Sequence, residues 1–271
     1  MSIESRIPTE EINLKELSLD APEQKIKPFD ADKEILPEDW EKIKVDFERI
    51  RKNNTWPDLV RFGAHLKILN PNLSLGLTVE DWESIKFNLE SITTSPLEMG
   101  SNIKIVNPNF NTLSVLKIKD DFERLQKTFH TNQTWSGVLA NYFRMKTVNP
   151  AFNSTIPESD WNNIMQELNS NLQKAKDNGR WDKVLFIIKY AKILDPDFNF
   201  ELSAQDWEGI RKKIASQRKR MDLSTASFVS LVADAKIAAA DKVIFTSNSF
   251  QLQNTPPSIS EKPPLPEIKK F

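Results

Sequence analysis

An acidic residue followed by an aromatic residue recurs along the chain at intervals of about 40 residues. The pairs are Asp39-Trp40, Asp81-Trp82, Asp121-Phe122, Asp160-Trp161 and Asp206-Trp207. Apolar side chains follow each aromatic residue three and seven positions later, which is the spacing of one face of an α-helix. One such helix cannot bury its own apolar face, so successive copies must pack on one another. The recurrence therefore predicts an all-α fold of repeated units.

A second helical segment precedes each return of the first one and stops before a proline. The prolines are Pro71, Pro108, Pro150 and Pro196, and Trp56, Trp135 and Trp181 stand fifteen residues before three of them. Proline lacks an N–H donor and disfavours helical geometry in the residue before it, so it marks a helix end. We call the first segment helix A and the second helix B. The repeating unit is then helix A, a short loop, helix B and an extended linker.

These units predict a right-handed α-solenoid of about five helix pairs over residues 28–246, with residues 227–245 as a C-terminal capping helix. The period and the helix-pair form resemble the HEAT and armadillo class of two-helix repeats. That resemblance implies a concave surface along the row of B helices. A tetratricopeptide array fits less well because its period is about 34 residues. A compact helical bundle with a degenerate duplication is the remaining alternative.

The segments outside the repeats differ from the repeats in composition. Residues 1–27 are polar and contain no apolar stretch of the signal-peptide kind. Residues 28–40 look like a linker that lacks a preceding helix B. Residues 247–271 are rich in Ser, Asn and Pro, and we expect them to be disordered. No apolar run has the length of a membrane span, so we expect a cytoplasmic protein without a membrane partner.

Composition narrows the classes of function. The chain has no Cys, which excludes thiolate metal sites, and only two His, which leave little material for a histidine metal site. It also has only six Gly. The two common glycine-rich nucleotide loops, the G-x-S-x-G motif of serine hydrolases and the H-E-x-x-H motif of zinc hydrolases do not occur. We therefore expect no metal, no cofactor and no enzymatic activity. The net charge of −1 gives no general attraction to nucleic acid.

The repeated aromatic positions are expected to form the core between units, because large aromatic side chains dominate core burial. They are Trp40, Trp56, Trp82, Phe122, Trp135, Trp161, Trp181 and Trp207. The Asp before each helix A aromatic fits a first helical turn, where a negative charge meets the positive end of the helix dipole.

A lysine stands four residues before each proline of helix B. This lysine row consists of Lys67, Lys104, Lys146 and Lys192. It has two interpretations: cations that favour the negative end of helix B, or a positive stripe that binds a partner. His65, Arg144 and Tyr190 stand two positions earlier and would belong to the same partner-binding surface.

We therefore expect a non-enzymatic scaffold that binds a protein or peptide through the concave face of the B helices. The first alternative is nucleic-acid binding by the lysine row and a basic patch, which a steep salt dependence would reveal. The patch is Arg211, Lys212, Lys213, Arg218, Lys219 and Arg220. The second alternative is a structural or assembly subunit, and the oligomeric state is left open.

Overall fold

The structure is a computed structural model that describes residues 29–91, 96–111, 118–152, 155–240, 242–246 and 249–253. The helices in this part of the chain are α1 (Ala31–Glu34), α2 (Pro37–Lys52), α3 (Trp56–Leu69), α4 (Val79–Ser91), α5 (Pro96–Val106), α6 (Ile118–Thr131), α7 (Trp135–Val148), α8 (Glu158–Asn178), α9 (Trp181–Leu194), α10 (Ala204–Arg218) and α11 (Ala226–Ala239). Strands β1 (Lys242–Thr246) and β2 (Ser249–Gln253) form an antiparallel hairpin after them. The predicted all-α class is confirmed, with this hairpin as a small addition.

The helices alternate between the two predicted types. Helices α2, α4, α6, α8 and α10 are A helices, and α3, α5, α7, α9 and α11 are B helices. Local chemistry fixes their ends. At the start of α10, Ser203 Oγ accepts the Asp206 N–H at 3.2 Å while Asp206 Oδ2 accepts the Ser203 N–H at 3.0 Å, which is a capping box. Gly179 follows the last residue of α8 and has a φ of 70°, which is unfavourable for a residue with a side chain.

The B helices close into a ring. Helix α3 packs on α5, α5 on α7, α7 on α9, α9 on α11, and α11 packs back on α3. Each A helix packs outside, against the B helix that follows it in the chain. The contacts therefore differ from those of an open solenoid, because the last helix pair touches the first pair as well as its sequence neighbour.

Helix α11 is the fifth B helix and not a terminal cap, which corrects the prediction for residues 227–245. Apolar residues on all its faces are buried, since it needs neighbours on two sides, α9 and α3. The helix ends at Ala239, and the chain from Lys242 continues as β1. The β-branched and aromatic side chains of that stretch favour a strand.

The hairpin includes part of the segment predicted to be a disordered tail. Strand β2 pairs with β1 and places Leu252 opposite Val243. Apolar residues that alternate with polar ones, as in Ser249–Gln253, are typical of a strand. The disorder of residues 247–271 stays a prediction, and its part beyond residue 253 lies outside the described residues, as do residues 1–27.

Side chains from the two ends of the chain join the first and last helix pairs. Asp46 Oδ2 accepts hydrogen bonds from Thr225 Oγ1 at 2.6 Å and from the Thr225 N–H at 3.1 Å. This contact caps the start of α11 with a carboxylate from α2. At the other end of α11, Lys236 Nζ donates to the Leu69 carbonyl at 2.6 Å. Both ends of α11 are thus bonded to the first pair.

The N-terminal linker completes the fifth unit of the ring. In three other units an aromatic residue of the linker after helix B packs on the helix A aromatic of the same unit. These contacts are Phe110 on Trp82, Phe152 on Phe122 and Phe198 on Trp161, with ring centroids 5.7, 5.1 and 6.0 Å apart. In the fifth unit Phe29 stacks on Trp207 at 5.3 Å, and α1 packs on α11. The helix B missing before this linker in sequence is therefore α11 in space.

The A helices follow one another head to tail around the ring. The buried Asp near the start of an A helix contacts a base near the end of the preceding A helix. These contacts are Arg51 to Asp81 at 2.6 Å, His130 to Asp160 at 2.9 Å, Lys176 to Asp206 at 3.4 Å and Arg218 to Asp39 at 3.0 Å. The last of them joins α10 to α2, so the contact that links successive units also closes the ring. Asp121 instead accepts the Leu97 N–H at 3.2 Å, at the start of α5.

One of these links depends on pH because its base is a histidine. His130 Nδ1 lies 2.8 Å from the Gln126 carbonyl and Nε2 lies 2.9 Å from Asp160. Both acceptors favour the doubly protonated ring, so they raise the pKa of His130 above 6.5. A raised folded-state pKa contributes stability that is complete below the unfolded pKa and is lost as pH rises through the folded pKa. From about pH 6 to about pH 8, the contribution of His130 to the unfolding free energy should fall by under about 1 kcal/mol, since this site is half-exposed.

Urea unfolding of the wild type and of His130→Gln across that range measures this effect. The difference in unfolding free energy between the wild type and the variant should therefore decline above pH 6.5. His65 has a lowered folded-state pKa of about 4, so its own contribution rises with pH until its unfolded-state pKa near 6.5 is passed; both proteins share this contribution, and it cancels in their difference. An equal slope in both proteins would contradict the assignment.

The repeated aromatic residues lie in or against one large core, except Phe122, which packs on a second, smaller cluster. Trp56, Trp181 and Trp207 are buried. The other five are half-buried and pack against buried neighbours: Trp40, Trp82, Phe122, Trp135 and Trp161. Within the described ranges, no helix is both long and apolar enough to cross a membrane.

Candidate functional site

The beginnings of three B helices surround one cavity of about 810 Å³. First-turn residues of α3, α9 and α11 line it, together with the C-terminal part of α2 and residues of α10. A volume of this size is typical of ligand sites. The partial positive charges of helix N-termini point toward this end of the ring.

Cations dominate the accessible charges of the cavity. Four basic side chains line it: Arg49, Arg61, Arg180 and Lys213. Of its acidic side chains, Asp58 and Asp182 are exposed. Asp46 and Asp234 are buried and already bonded, Asp46 to Thr225 and Arg49 and Asp234 to Lys189. Without these bonded groups, three bases face two acids, so the charge presented to a ligand is +1.

A set of polar side chains, one or two from every B helix, lies at the inner side of the ring. We call it the axial cluster: Arg61, His65, Glu98, Arg144, Lys189, Ser230 and Asp234. Its first part links three helices. Glu98 Oε1 lies 3.1 Å from Arg61 Nη2, and Glu98 Oε2 accepts from Arg144 Nη2 at 2.8 Å. One carboxylate from α5 thus holds guanidinium groups from α3 and α7.

The second part of the axial cluster is a buried ion pair between α9 and α11. Lys189 Nζ donates to Asp234 Oδ1 at 2.6 Å, with 6% and 9% of the two side chains exposed. Burial alone would lower the pKa of Lys189, but the negative charge of Asp234 more than offsets this and raises it. The ammonium also lies 4.5 Å from the centre of the Tyr190 ring, which is a cation–π contact.

His65 completes the cluster between α3 and α11. Its Nε2 lies 3.3 Å from Ser230 Oγ. Burial and then the positive charge of Lys189 lower the pKa of His65 to about 4. The imidazole is therefore neutral at neutral pH, and the positive potential of its surroundings contributes to that.

The structure separates the two sets of predicted partner-binding residues. His65 and Arg144 belong to the axial cluster, and Tyr190 packs beside it on Phe143, with ring centroids 4.7 Å apart. The lysine row lies at the opposite ends of the B helices, where its ammonium groups meet backbone carbonyls. Lys67 donates to Pro71 O at 3.0 Å, Lys104 to Pro108 O at 2.9 Å, and Lys192 to Ala238 O at 2.8 Å and Ala240 O at 2.6 Å, while Lys146 is half-buried in the last turn of α7.

The predicted basic patch does not form one surface. Arg211 lies 3.8 Å from Glu34, and Arg218 contacts Asp39, so both face the N-terminal linker and α2. Lys213 lines the cavity on another side of α10. The remaining members are Lys212, which is 3.7 Å from Glu208, and the exposed Lys219 and Arg220.

Sequence reasoning missed five members of the axial cluster: Arg61, Glu98, Lys189, Ser230 and Asp234. The signal available was a charged residue inside an apolar stretch. Lys189 follows Phe186-Ile187-Ile188, and Asp234 follows Leu231-Val232-Ala233. A charge is seldom fully buried in such a stretch without a partner, so each of these residues required one elsewhere in the chain.

In the part of the chain that the structure describes, no group of three or more His, Cys, Asp or Glu side chains is arranged to hold a metal ion. Comparison with protein-family models, with curated proteins and with solved structures finds no match for this chain.

Proposed function

We propose that this protein is a non-catalytic, cytoplasmic binding module that holds an acidic segment of a partner protein in the cavity at the end of the helix B ring. The observation that carries this proposal is the charge of the cavity, where Arg61, Arg180 and Lys213 face only two accessible acids once Arg49 is paired with Asp46. An acidic segment complements that charge. The ligand surface is thus the inside of the ring at one end and not an open concave face.

Two observations favour binding over catalysis. Glu98, Lys189 and Asp234 have charged partners of opposite sign within the cluster, at 3.1 Å or less. Such pairs fix geometry instead of leaving a reactive group free. The His65–Ser230 pair resembles a base beside a hydroxyl, but a histidine whose pKa is about 4 is a weak base.

Nucleic-acid binding is the second candidate, and the geometry favours it less. The lysine row lies at the far end of the ring with three ammonium groups on carbonyls, and the basic patch is divided among several surfaces. A phosphate backbone needs cations in a continuous track. Acids also lie among the cations of the cavity, as Asp58 and Asp182 do, which suits a short peptide better.

The proposal predicts that charge reversal in the cavity weakens the binding of an acidic peptide. The double variant Arg180→Glu, Lys213→Glu should weaken affinity for a fluorescent peptide of alternating Glu and Gly by at least about tenfold, measured by anisotropy. Its matched control is Lys127→Glu, Lys174→Glu, which makes the same charge change at exposed positions of α6 and α8. That control should bind like the wild type.

A peptide of alternating Gln and Gly gives the second comparison. Equal binding of the two peptides, or equal weakening by the two double variants, would refute the proposal. A short single-stranded oligonucleotide that binds more tightly than the acidic peptide, with a steep loss in salt, would replace it by the nucleic-acid alternative.

A further inference from the structure

We propose that the axial cluster is a binding site for one carboxylate group, which a ligand delivers through the cavity. The carboxylate is either an Asp or Glu side chain or the free C-terminus of a peptide. This inference rests on the proposed function for its biological ligand, because it names the group that the acidic segment inserts. Arg61, His65, Ser230 and Asp234 belong both to the cavity lining and to the axial cluster, so the cavity leads to it.

The arrangement of the two arginines leaves hydrogen-bond donors for such a group. Glu98 contacts the Nη2 atoms of Arg61 and Arg144, and Asp58 Oδ1 lies 3.4 Å from Arg61 Nη1. A guanidinium carries several N–H donors in a planar fork that matches two carboxylate oxygens. Arg61 lines the cavity with 51% of its side chain accessible, and Arg144, behind it on Glu98, retains 16%. A carboxylate in the cavity can therefore bind Arg61, and the positive charge of Arg144 adds to its attraction.

The charge of the axial cluster favours one negative group. Arg61, Arg144 and Lys189 contribute three positive charges, and Glu98 and Asp234 contribute two negative ones, which leaves +1. Asp58 also lies 3.4 Å from Arg61, but 61% of its side chain is exposed, so water screens its charge. His65 adds none, since it is neutral at neutral pH. One singly charged carboxylate balances this sum, whereas a doubly charged phosphate exceeds it.

The free-energy cost of burying charges in the axial cluster also indicates a ligand. Buried ion pairs are poor sources of stability, and apolar residues of similar volume fill such positions at least as well. Yet every B helix supplies a polar residue to the inner side of this ring. Charged groups that converge beside a cavity are typical of a binding site.

The test uses the full chain and a reporter that it already contains. Only two histidines occur in the sequence, so His130→Gln leaves His65 as a single imidazole signal in NMR. The probes are N-acetylglutamate amide for a side-chain carboxylate, N-acetylglycine for a terminal one, and N-acetylglutamine amide as the neutral control. A carboxylate beside His65 should shift its signal and raise its pKa, and the neutral probe should do neither.

Two variants should change carboxylate affinity in opposite directions, which structural damage alone would not do. Arg144→Gln removes the excess positive charge and should weaken carboxylate affinity about tenfold, while Glu98→Gln increases that excess and should strengthen affinity. Arg220→Gln makes the same charge change as the first at an exposed position after α10 and should leave affinity unchanged.

The inference is overturned if neither carboxylate perturbs His65, or if Arg144→Gln and Glu98→Gln change affinity in the same direction. The carboxylate site and the proposed function can each be refuted while the other stands. A carboxylate that perturbs His65 in a protein that ignores the acidic peptide refutes only the peptide proposal. An acidic peptide that binds without perturbing His65 refutes only the carboxylate site.

Discussion

Replacing Asp234 with alanine should lower the free energy of unfolding by about 3–5 kcal/mol. The substitution leaves the Lys189 ammonium inside the ring, where only 6% of its side chain is exposed, without the carboxylate 2.6 Å away. An ammonium in that position must lose its proton or draw water into the ring, and both cost free energy. Urea unfolding followed by circular dichroism measures the loss.

The double variant Lys189→Met, Asp234→Leu is the control for this prediction. It removes both charges and fills their space with apolar atoms, so most of the lost stability should return. A loss below about 1 kcal/mol in Asp234→Ala would show that the pair is not buried as described. Failure of the double variant to recover would show that packing, and not charge, is what Asp234 contributes.

Replacing Phe29 with alanine should cost about 3 kcal/mol, although this residue precedes the first helix. Its ring is 8% exposed and stacks on Trp207 in α10, on the other side of the ring closure. The loss combines the burial of an aromatic ring with the cavity that its removal leaves. Thermal unfolding should therefore show a lower melting temperature for Phe29→Ala.

Phe87→Ala is the matched control, because the Phe87 ring in α4 is 71% exposed. That variant should stay within about 0.5 kcal/mol of the wild type. If Phe29→Ala is as mild as Phe87→Ala, the N-terminal linker does not close the ring in solution, and the fifth unit lacks the aromatic contact that three of the others have.

The starts and ends of the helices were predictable because their causes are local. Trp56, Trp135 and Trp181 begin α3, α7 and α9, as the spacing to the prolines indicates. Backbone hydrogen bonds of a helix join residues four positions apart, and proline acts on its immediate neighbours. A pattern in sequence is therefore enough to locate such elements.

Ring closure was not predictable in the same way. The repeat period gives the length of a unit, but the rotation from one unit to the next depends on how side chains of neighbouring helices pack. The open solenoid and the ring share one sequence pattern. The available clue was α11, whose apolar residues surround it and require neighbours on both sides.

The links between A helices show the same limit. Asp39, Asp81, Asp160 and Asp206 recur at regular positions, and sequence reasoning assigned them to helix caps. Their basic partners stand at the ends of helices of unequal length, so the bases recur without a fixed spacing: Arg51, His130, Lys176 and Arg218. In each contact, the Asp recurred at a regular spacing in the sequence and its basic partner did not.

The sequence by itself determined the all-α class, the alternation of A and B helices and the residues at which α3, α7 and α9 begin. Only the tertiary structure decided that the first and last units meet and that polar residues of all the B helices face one another. The physical reason is separation along the chain. Lys189 and Asp234 are 45 residues apart and Arg218 and Asp39 are 179 apart, so their attraction acts only after packing has brought the helices together.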